Sequence, residues 1–273
     1  MNGTNNSNQN LRETLSSNTL FHFTNSMDNL INILTIEFHP RYCFESISET
    51  EPEVGIAFPM VCFCDIPLSK TKVHVARYGP YGIGLNMTWG IKNGVCPVHY
   101  VIDKTPTLNI HAQINALHMG QLTEYKTIMP KAEMDHQKQM FYLQQYMFMY
   151  TKKYKGKMLR GETLSEEVRF YDEHEWRYVP NPSEVPVLKE WRPPFSFEEF
   201  KNKSHVRELD EENAALFTLG FEPLDIRYLL VKTEDEILRM CTLLDGIKAD
   251  YSHKEREVLK TRIISYERVM EDF

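Results

Sequence analysis

The stretch Phe170-Tyr-Asp-Glu-His-Glu-Trp-Arg-Tyr178 decides how this chain is read. Side chains alternate faces along a strand, so Glu173, Glu175 and Arg177 fall on one face and His174, Trp176 and Tyr178 on the other. The aromatic face belongs against a core. The acidic face leaves two alternatives: a solvated edge strand on which Arg177 is a surface partner of the glutamates, or a strand lining a working cleft.

Upstream, Leu20-Phe-His-Phe-Thr24 is a second strand-like run, on which His22 and Thr24 share a face. Asn25-Ser26 then offers an N-cap, and Met27, Leu30, Ile31 and Leu34 recur as one helical face. Glu45, Glu49, Glu51 and Glu53, interrupted by Ser and Pro, read as a solvated loop. Val61-Cys-Phe-Cys-Asp65 is a strand ended by Pro67. Its Cys62 and Cys64, with His74 downstream, lack the two close ligand pairs of a structural zinc site, and no metal is expected.

Tyr78-Gly-Pro-Tyr-Gly-Ile-Gly-Leu85 carries three glycines that leave its backbone open to close approach. It matches neither the GxxxxGKS phosphate loop nor GxGxxG, and reads either as a strand entered through a tight turn or as the wall of a ligand groove. Asn93-Gly94 marks a hairpin-type turn before a strand from Val95 to Ile102. From about 109 to 155, Met140, Phe141, Leu143, Tyr146, Met147 and Tyr150 recur at helical spacing, predicting helices inserted on the sheet with this stripe in the core. Lys152, Lys153, Lys155, Lys157 and Arg160 follow as the one dense basic cluster, read either as a solvated helix end or as a contact to a phosphate backbone. Beyond a proline-rich connection from Pro180 to Pro194, the spacing predicts a charged helix over 195–212, a strand over 225–231, and a helix capped by Thr233 and Glu236.

Composition bounds the rest. At 273 residues and 42% hydrophobic, the chain supports a packed core in one domain, 11–273, behind an Asn-rich disordered lead, 1–10. A net charge of -7 argues against broad attraction to nucleic acid or anionic membrane and leaves room only for a local basic patch. Five cysteines without paired CxxC motifs point to free thiols in a reducing, cytoplasmic setting. No apolar run approaches the roughly 20 residues of a membrane span.

On Leu20 to Thr24 with its Asn29 to Leu34 helix, Phe63-Cys-Asp-Ile-Pro-Leu-Ser69, Tyr78 to Leu85, Glu173 to Arg177 and Phe221 to Ile226, the chain resembles the AbiGi family of abortive phage-infection proteins. More remotely it is similar to the ADP-ribosyltransferase fold of DarT-type enzymes. That resemblance implies an α+β fold with ADP-ribosyltransferase-like mixed β-sheets and an inserted helical segment. It further implies a toxin that transfers ADP-ribose from NAD to a macromolecule, nucleic acid (RNA or DNA) rather than protein. Breaking the nicotinamide–ribose bond passes through a cationic state that a carboxylate stabilises. Glu175 would serve there with Glu173 as helper, His22 and Thr24 would hold the adenosine ribose, Tyr78 or Tyr81 would stack on nicotinamide, and Arg177 would pair with phosphate. Lys152, Lys153, Lys155, Lys157 and Arg160 would meet the acceptor, and a cognate antitoxin is the implied partner. The alternative is a non-catalytic antitoxin or sensor in a two-gene system.

Overall fold

The computed structural model describes residues 17–46, 53–102, 104–107, 113–114, 117, 130–160, 163–181, 196–247 and 251–272; the N-terminal lead, most of 108–129 and the proline-rich 182–195 lie outside these. In chain order the strands are β1 (Thr19–Thr24), β2 (Arg41–Ser46), β3 (Gly55–Cys64), β4 (Tyr81–Asn86), β5 (Cys96–Pro97), β6 (His99–Val101) and β7 (Thr151–Lys153). They continue as β8 (Lys155–Arg160), β9 (Thr163–Arg169), β10 (Glu175–Tyr178), β11 (Ile226–Val231) and β12 (Ile263–Ser265). The main sheet runs β12-β11-β4-β1-β3-β10-β5, with β2 paired along the first half of β3. Parallel pairing of β11 with β12 and of β6 with β7 among otherwise antiparallel neighbours makes the sheets mixed, and the helices make the fold α+β.

Both faces of the main sheet are covered. On one, Leu20, Phe63, Ile83, Leu85, Ile226 and Leu229 meet α1 (Met27–Ile36), whose buried residues are Met27, Leu30 and Leu34. Ser26 caps α1 by accepting from the Asn29 backbone N–H, as the sequence predicts. On the other, Phe21, Phe23, Cys64, Ile66 and Leu230 pack with Val75 of α2 (Lys72–Tyr78).

The glycines of β4 serve the chain's own packing. Gly84 lies opposite Phe21 of β1, and a Cβ there would sit 2.7 Å from the Phe21 ring; a Cβ on Gly82 would sit 2.8 Å from the His22 carbonyl oxygen. The close approach that the sequence implies is therefore made by β1.

Three expectations are corrected. Asn93 and Gly94 end the short helix α3 (Met87–Lys92), with Gly94 at φ +74°, and form no hairpin. Within the helical insertion, whose described residues 113–114 and 117 are also helical, the long element is α4 (Lys131–Met149); its Met140, Leu143 and Met147 are exposed and not in the core, while Met149 is fully buried. The lysines after it lie on β7 and β8, because Lys152 and Lys153 pair in parallel with Tyr100 and Val101 of β6. Toward the C-terminus come α5 (Phe197–Phe200), α6 (Lys203–Leu216), α7 (Glu236–Gly246), α8 (His253–Lys260) and α9 (Tyr266–Asp272). Helix α7 starts three residues after Thr233, and Glu236 accepts from the backbone N–H groups of Lys232 and Thr233.

Phe21 is 1% exposed and stacks on both Phe23 and Tyr228, so it cannot yield to a new methyl group. Gly84→Ala is expected to destabilise the fold by about 1–3 kcal/mol, read as a melting temperature several degrees below wild type; an unchanged melt would show that the ring relaxes freely.

Candidate functional site

Register fixes what each face of β10 presents. Glu175 and Arg177 lie opposite Cys64 and Cys62, whereas Trp176 and Tyr178 lie opposite Phe63 and Val61 and pack on the main core. The predicted alternation therefore holds from Glu175 onward, but the charged face is not wet: Arg177 is 0% and Glu175 6% exposed. Glu173 precedes the strand. It ends a 3-10 turn, Phe170–Glu173, and His174 follows in the left-handed region at φ 44°, so a turn rather than strand alternation brings its carboxylate to Glu175.

The charges close into a cluster. The Arg177 guanidinium donates to Glu175, to Glu45 of β2 and, at 2.8 Å, to the Met149 carbonyl. The Lys152 ammonium donates to Glu175 and, at 3.0 Å, to Glu173. Glu173 also accepts from the Tyr78 hydroxyl at 2.9 Å and from Arg77 at 3.3 Å. Among the described residues three carboxylates (Glu45, Glu173, Glu175) thus meet three cations (Arg77, Lys152, Arg177), and the charges of the cluster balance. Neutrality is what permits its burial, since an uncompensated charge in this interior would cost several kcal/mol.

Protonation states follow from the packing. Burial alone would raise the Glu175 carboxyl, but Arg177 and Lys152 outweigh it and hold the group at about 2. Burial likewise opposes the charge on Lys152, yet Glu175, Glu45 and Glu173 keep it firmly protonated. The Tyr78 hydroxyl is pushed far up by burial and by the carboxylates around it. Beside it, His74 stacks on Tyr78 at 4.5 Å and is lowered to about 4 by burial and by the nearby Lys152 and Arg77 cations.

The nucleotide-binding residues expected from the sequence do not converge. In β1 and β4, His22 lies opposite Ile83 and Thr24 opposite Tyr81, which places all three on the face of the main core. Glu175, Arg177, Glu173 and Tyr78 lie on the other face of the same sheet. The His22 ring is enclosed by Phe38 and Phe63, its Nδ1 is 2.8 Å from the Cys62 carbonyl oxygen, and burial lowers its pKa. The Thr24 hydroxyl accepts from the Asn29 amide, and the Tyr81 hydroxyl donates to Glu236 at 2.8 Å. Strand alternation on neighbouring, in-register strands is the physical reason: a shared sheet does not mean a shared face. Arg177, placed for phosphate by the resemblance, spends its donors on protein acceptors.

The basic cluster is also divided. Lys152 is committed to the carboxylates, and Lys153 is buried with its ammonium 2.9 Å from the Lys157 carbonyl oxygen. Lys155 pairs with Glu167 across the β8–β9 hairpin. Lys157 is exposed, while the Arg160 side chain lies outside the described residues. A groove of about 880 Å³ opens beside the cluster, floored by β2 with Phe44 and Glu45 and walled by Lys157 on one side and by Phe197, Phe200 and Lys203 on the other. Sequence reasoning missed Glu45, which pairs with a residue 132 positions away, and, although it predicted helix over 195–212, it did not place α5 and α6 as a wall of this groove. Among the described residues no group of His, Cys, Asp and Glu side chains is arranged to hold a metal ion, and no helix is long and apolar enough to cross a membrane.

The geometry is that of an α+β protein with a neutralised, buried charge cluster beneath a basic and aromatic groove, and the proteins it is similar to act in resistance to phage. A family model described as "Putative abortive phage resistance protein AbiGi, antitoxin" matches residues 36–232, and the chain belongs to the AbiGi family. The abortive phage resistance protein AbiGi of Lactococcus lactis subsp. cremoris is 29% identical over 265 residues, covering 86% of this chain and 99% of that relative. No solved structure matches the chain.

Two outcomes test the cluster. Glu175→Gln leaves the buried cluster with one uncompensated positive charge and is expected to lower unfolding free energy by about 3–5 kcal/mol, measured by urea titration. Because Glu175 is held near 2 instead of its ordinary 4.5, its contribution is complete above about pH 4.5 and is lost as the pH falls from there toward 2. The stability gap between wild type and Glu175→Gln is therefore expected to shrink across that window; a gap that stays constant would show that Glu175 is not ionised in the native state.

Proposed function

We propose that this AbiGi-family chain is the non-catalytic, binding component of a two-gene abortive-infection system, an antitoxin that holds a cognate toxin in check. The observation that carries the reading is the state of Glu175. Both its oxygens are occupied, one by Arg177 and one by Lys152, inside a neutral and buried cluster. A carboxylate so paired has little negative field left to stabilise an oxocarbenium-like ribose. The family model's description as an antitoxin supports the same reading.

The second reading is transfer of ADP-ribose from NAD to a nucleic acid acceptor. It draws support from the gathering of Glu173, Glu175 and Tyr78 beside a groove. The position of His22, Thr24 and Tyr81 on the far face of the sheet weighs against it.

Expression in a phage-sensitive host separates the two. The chain alone is expected to leave growth unaffected, and its co-expression with the product of the adjacent gene to relieve that product's toxicity. Purified protein given labelled NAD and cell extract is expected to release no nicotinamide and to label neither nucleic acid nor protein. Nicotinamide release by the wild-type chain, or toxicity of the chain by itself, overturns the antitoxin reading in favour of the transferase.

A further inference from the structure

The groove beside the charge cluster carries chemistry that the antitoxin reading does not use. Its floor is neutral, since Glu45 and Lys152 are spent within the cluster. Its walls are not. Neither Lys157 nor Lys203 meets a carboxylate among the described residues, and the Lys201 pair with Glu198 is a solvent-exposed surface contact of little strength. The lining also includes the exposed Glu53, so in a chain of net charge -7 the exposed Lys157, Lys201 and Lys203 outnumber one carboxylate and leave a net cationic rim over an uncharged floor.

Aromatic rings stand next to those cations. Phe44 lies against Phe197 at 5.0 Å and stacks on Phe200 at 5.9 Å, and all three rings are only partly buried. The Lys203 ammonium sits 4.3 Å from the Phe200 ring centre, and that of Lys201 5.5 Å from the Phe197 ring centre. Alternating phenyl rings and ammonium groups match a ligand in which flat rings alternate with anionic charges at similar intervals. Single-stranded nucleic acid has that pattern, its bases stacking on aromatic side chains while its phosphates meet lysines. An acidic peptide would supply the anions but no flat rings for the phenyls. The cations are lysines, point charges without the planar fork that reads carboxylates or base edges, so the surface fits a phosphate backbone and carries no sequence preference.

We propose that this groove, between the β8 hairpin and the α5–α6 corner, binds a short run of single-stranded nucleic acid, with bases on Phe197 and Phe200 and phosphates on Lys157, Lys201 and Lys203. The inference is independent of the antitoxin reading, because it concerns strand binding by the purified chain and not growth rescue.

Fluorescence anisotropy of the full-length protein with labelled oligo(dT) and oligo(rU) of about a dozen nucleotides tests it. Wild type is expected to bind both, with affinity falling as salt rises. The double variant Lys157→Gln/Lys203→Gln is expected to bind at least about tenfold more weakly and to flatten the log–log salt slope by about 1.4, two phosphate contacts at about 0.7 each. Phe200→Ala is expected to weaken binding by about tenfold with the salt slope intact, since stacking releases no counterions. Lys92→Gln, an exposed lysine on α3, is expected to bind as wild type does. Thermal melts of the lysine variants should overlay wild type, as both side chains are exposed. Absence of binding, wild-type binding by the double variant, displacement of the strand by poly-glutamate at equal charge, or equally tight binding of a mononucleotide each overturns the proposal.

Discussion

Glu175 lies buried between Arg177 and Lys152, and the arrangement around it constrains the rest of the structure. An ionised carboxylate in this interior is tolerable only if cations arrive with it, and those cations in turn need Glu173 and Glu45. The requirement ties together β10, β7, β2 and the end of α2, elements drawn from Glu45 to Arg177. Buried ion pairs of this kind contribute little net stability relative to apolar packing. A shift of β7 or β2 would leave a charge unpaired, so the ion pairs add to the register already set by the apolar core around Leu20, Ile83 and Leu229.

The same sheet sets what the cluster can do. One face carries the cluster, the other carries His22, Thr24 and Tyr81 in the aromatic environment of Phe38 and Phe63. A ligand gripping both sets would have to pass through the strands. Each residue is also satisfied where it stands: His22 on the Cys62 carbonyl, Thr24 on Asn29, Tyr81 on Glu236 and Arg177 on three acceptors. Polar groups that already have partners gain little from a ligand, because a new hydrogen bond must replace an old one. Packing and polar satisfaction account for these side chains without invoking a nucleotide.

Much of the fold was legible because it is local. Short apolar runs identify β1 and β11, the Ser26 cap and the apolar spacing after it identify α1, and the split between Trp176 and Arg177 faces follows from alternation alone. What was not legible depends on distant partners. A sequence displays the charge of Lys152 but not that three carboxylates wait for it, so a buried pairing looks like part of a solvated basic run. Glu45 looks like one more acid in an acidic loop, although it reaches Arg177. Met140, Leu143 and Met147 keep helical spacing yet lie exposed, since periodicity reports a stripe and not what covers it. The glycines of β4 show the converse case. Their reading as sites of close approach is sound, and only the identity of the approaching group, Phe21, required the structure.

Neutrality of the buried cluster also shapes the surface above it. Were Glu173 and Glu175 unpaired, their charge would oppose any anion entering the groove from β2. With each matched by a cation, the field at the floor is close to zero, and the potential in the groove is set by the lysines on its rim. An acidic protein can in this way present one cationic surface without changing its overall charge. Screening limits that surface to partners within about 8–10 Å at physiological salt, so it acts by contact and not by long-range attraction. The basic run that the sequence displays as a single feature is therefore two features in the folded chain: Lys152, which neutralises the interior, and Lys157, which is left to meet solvent together with lysines at the α5–α6 corner more than forty residues downstream.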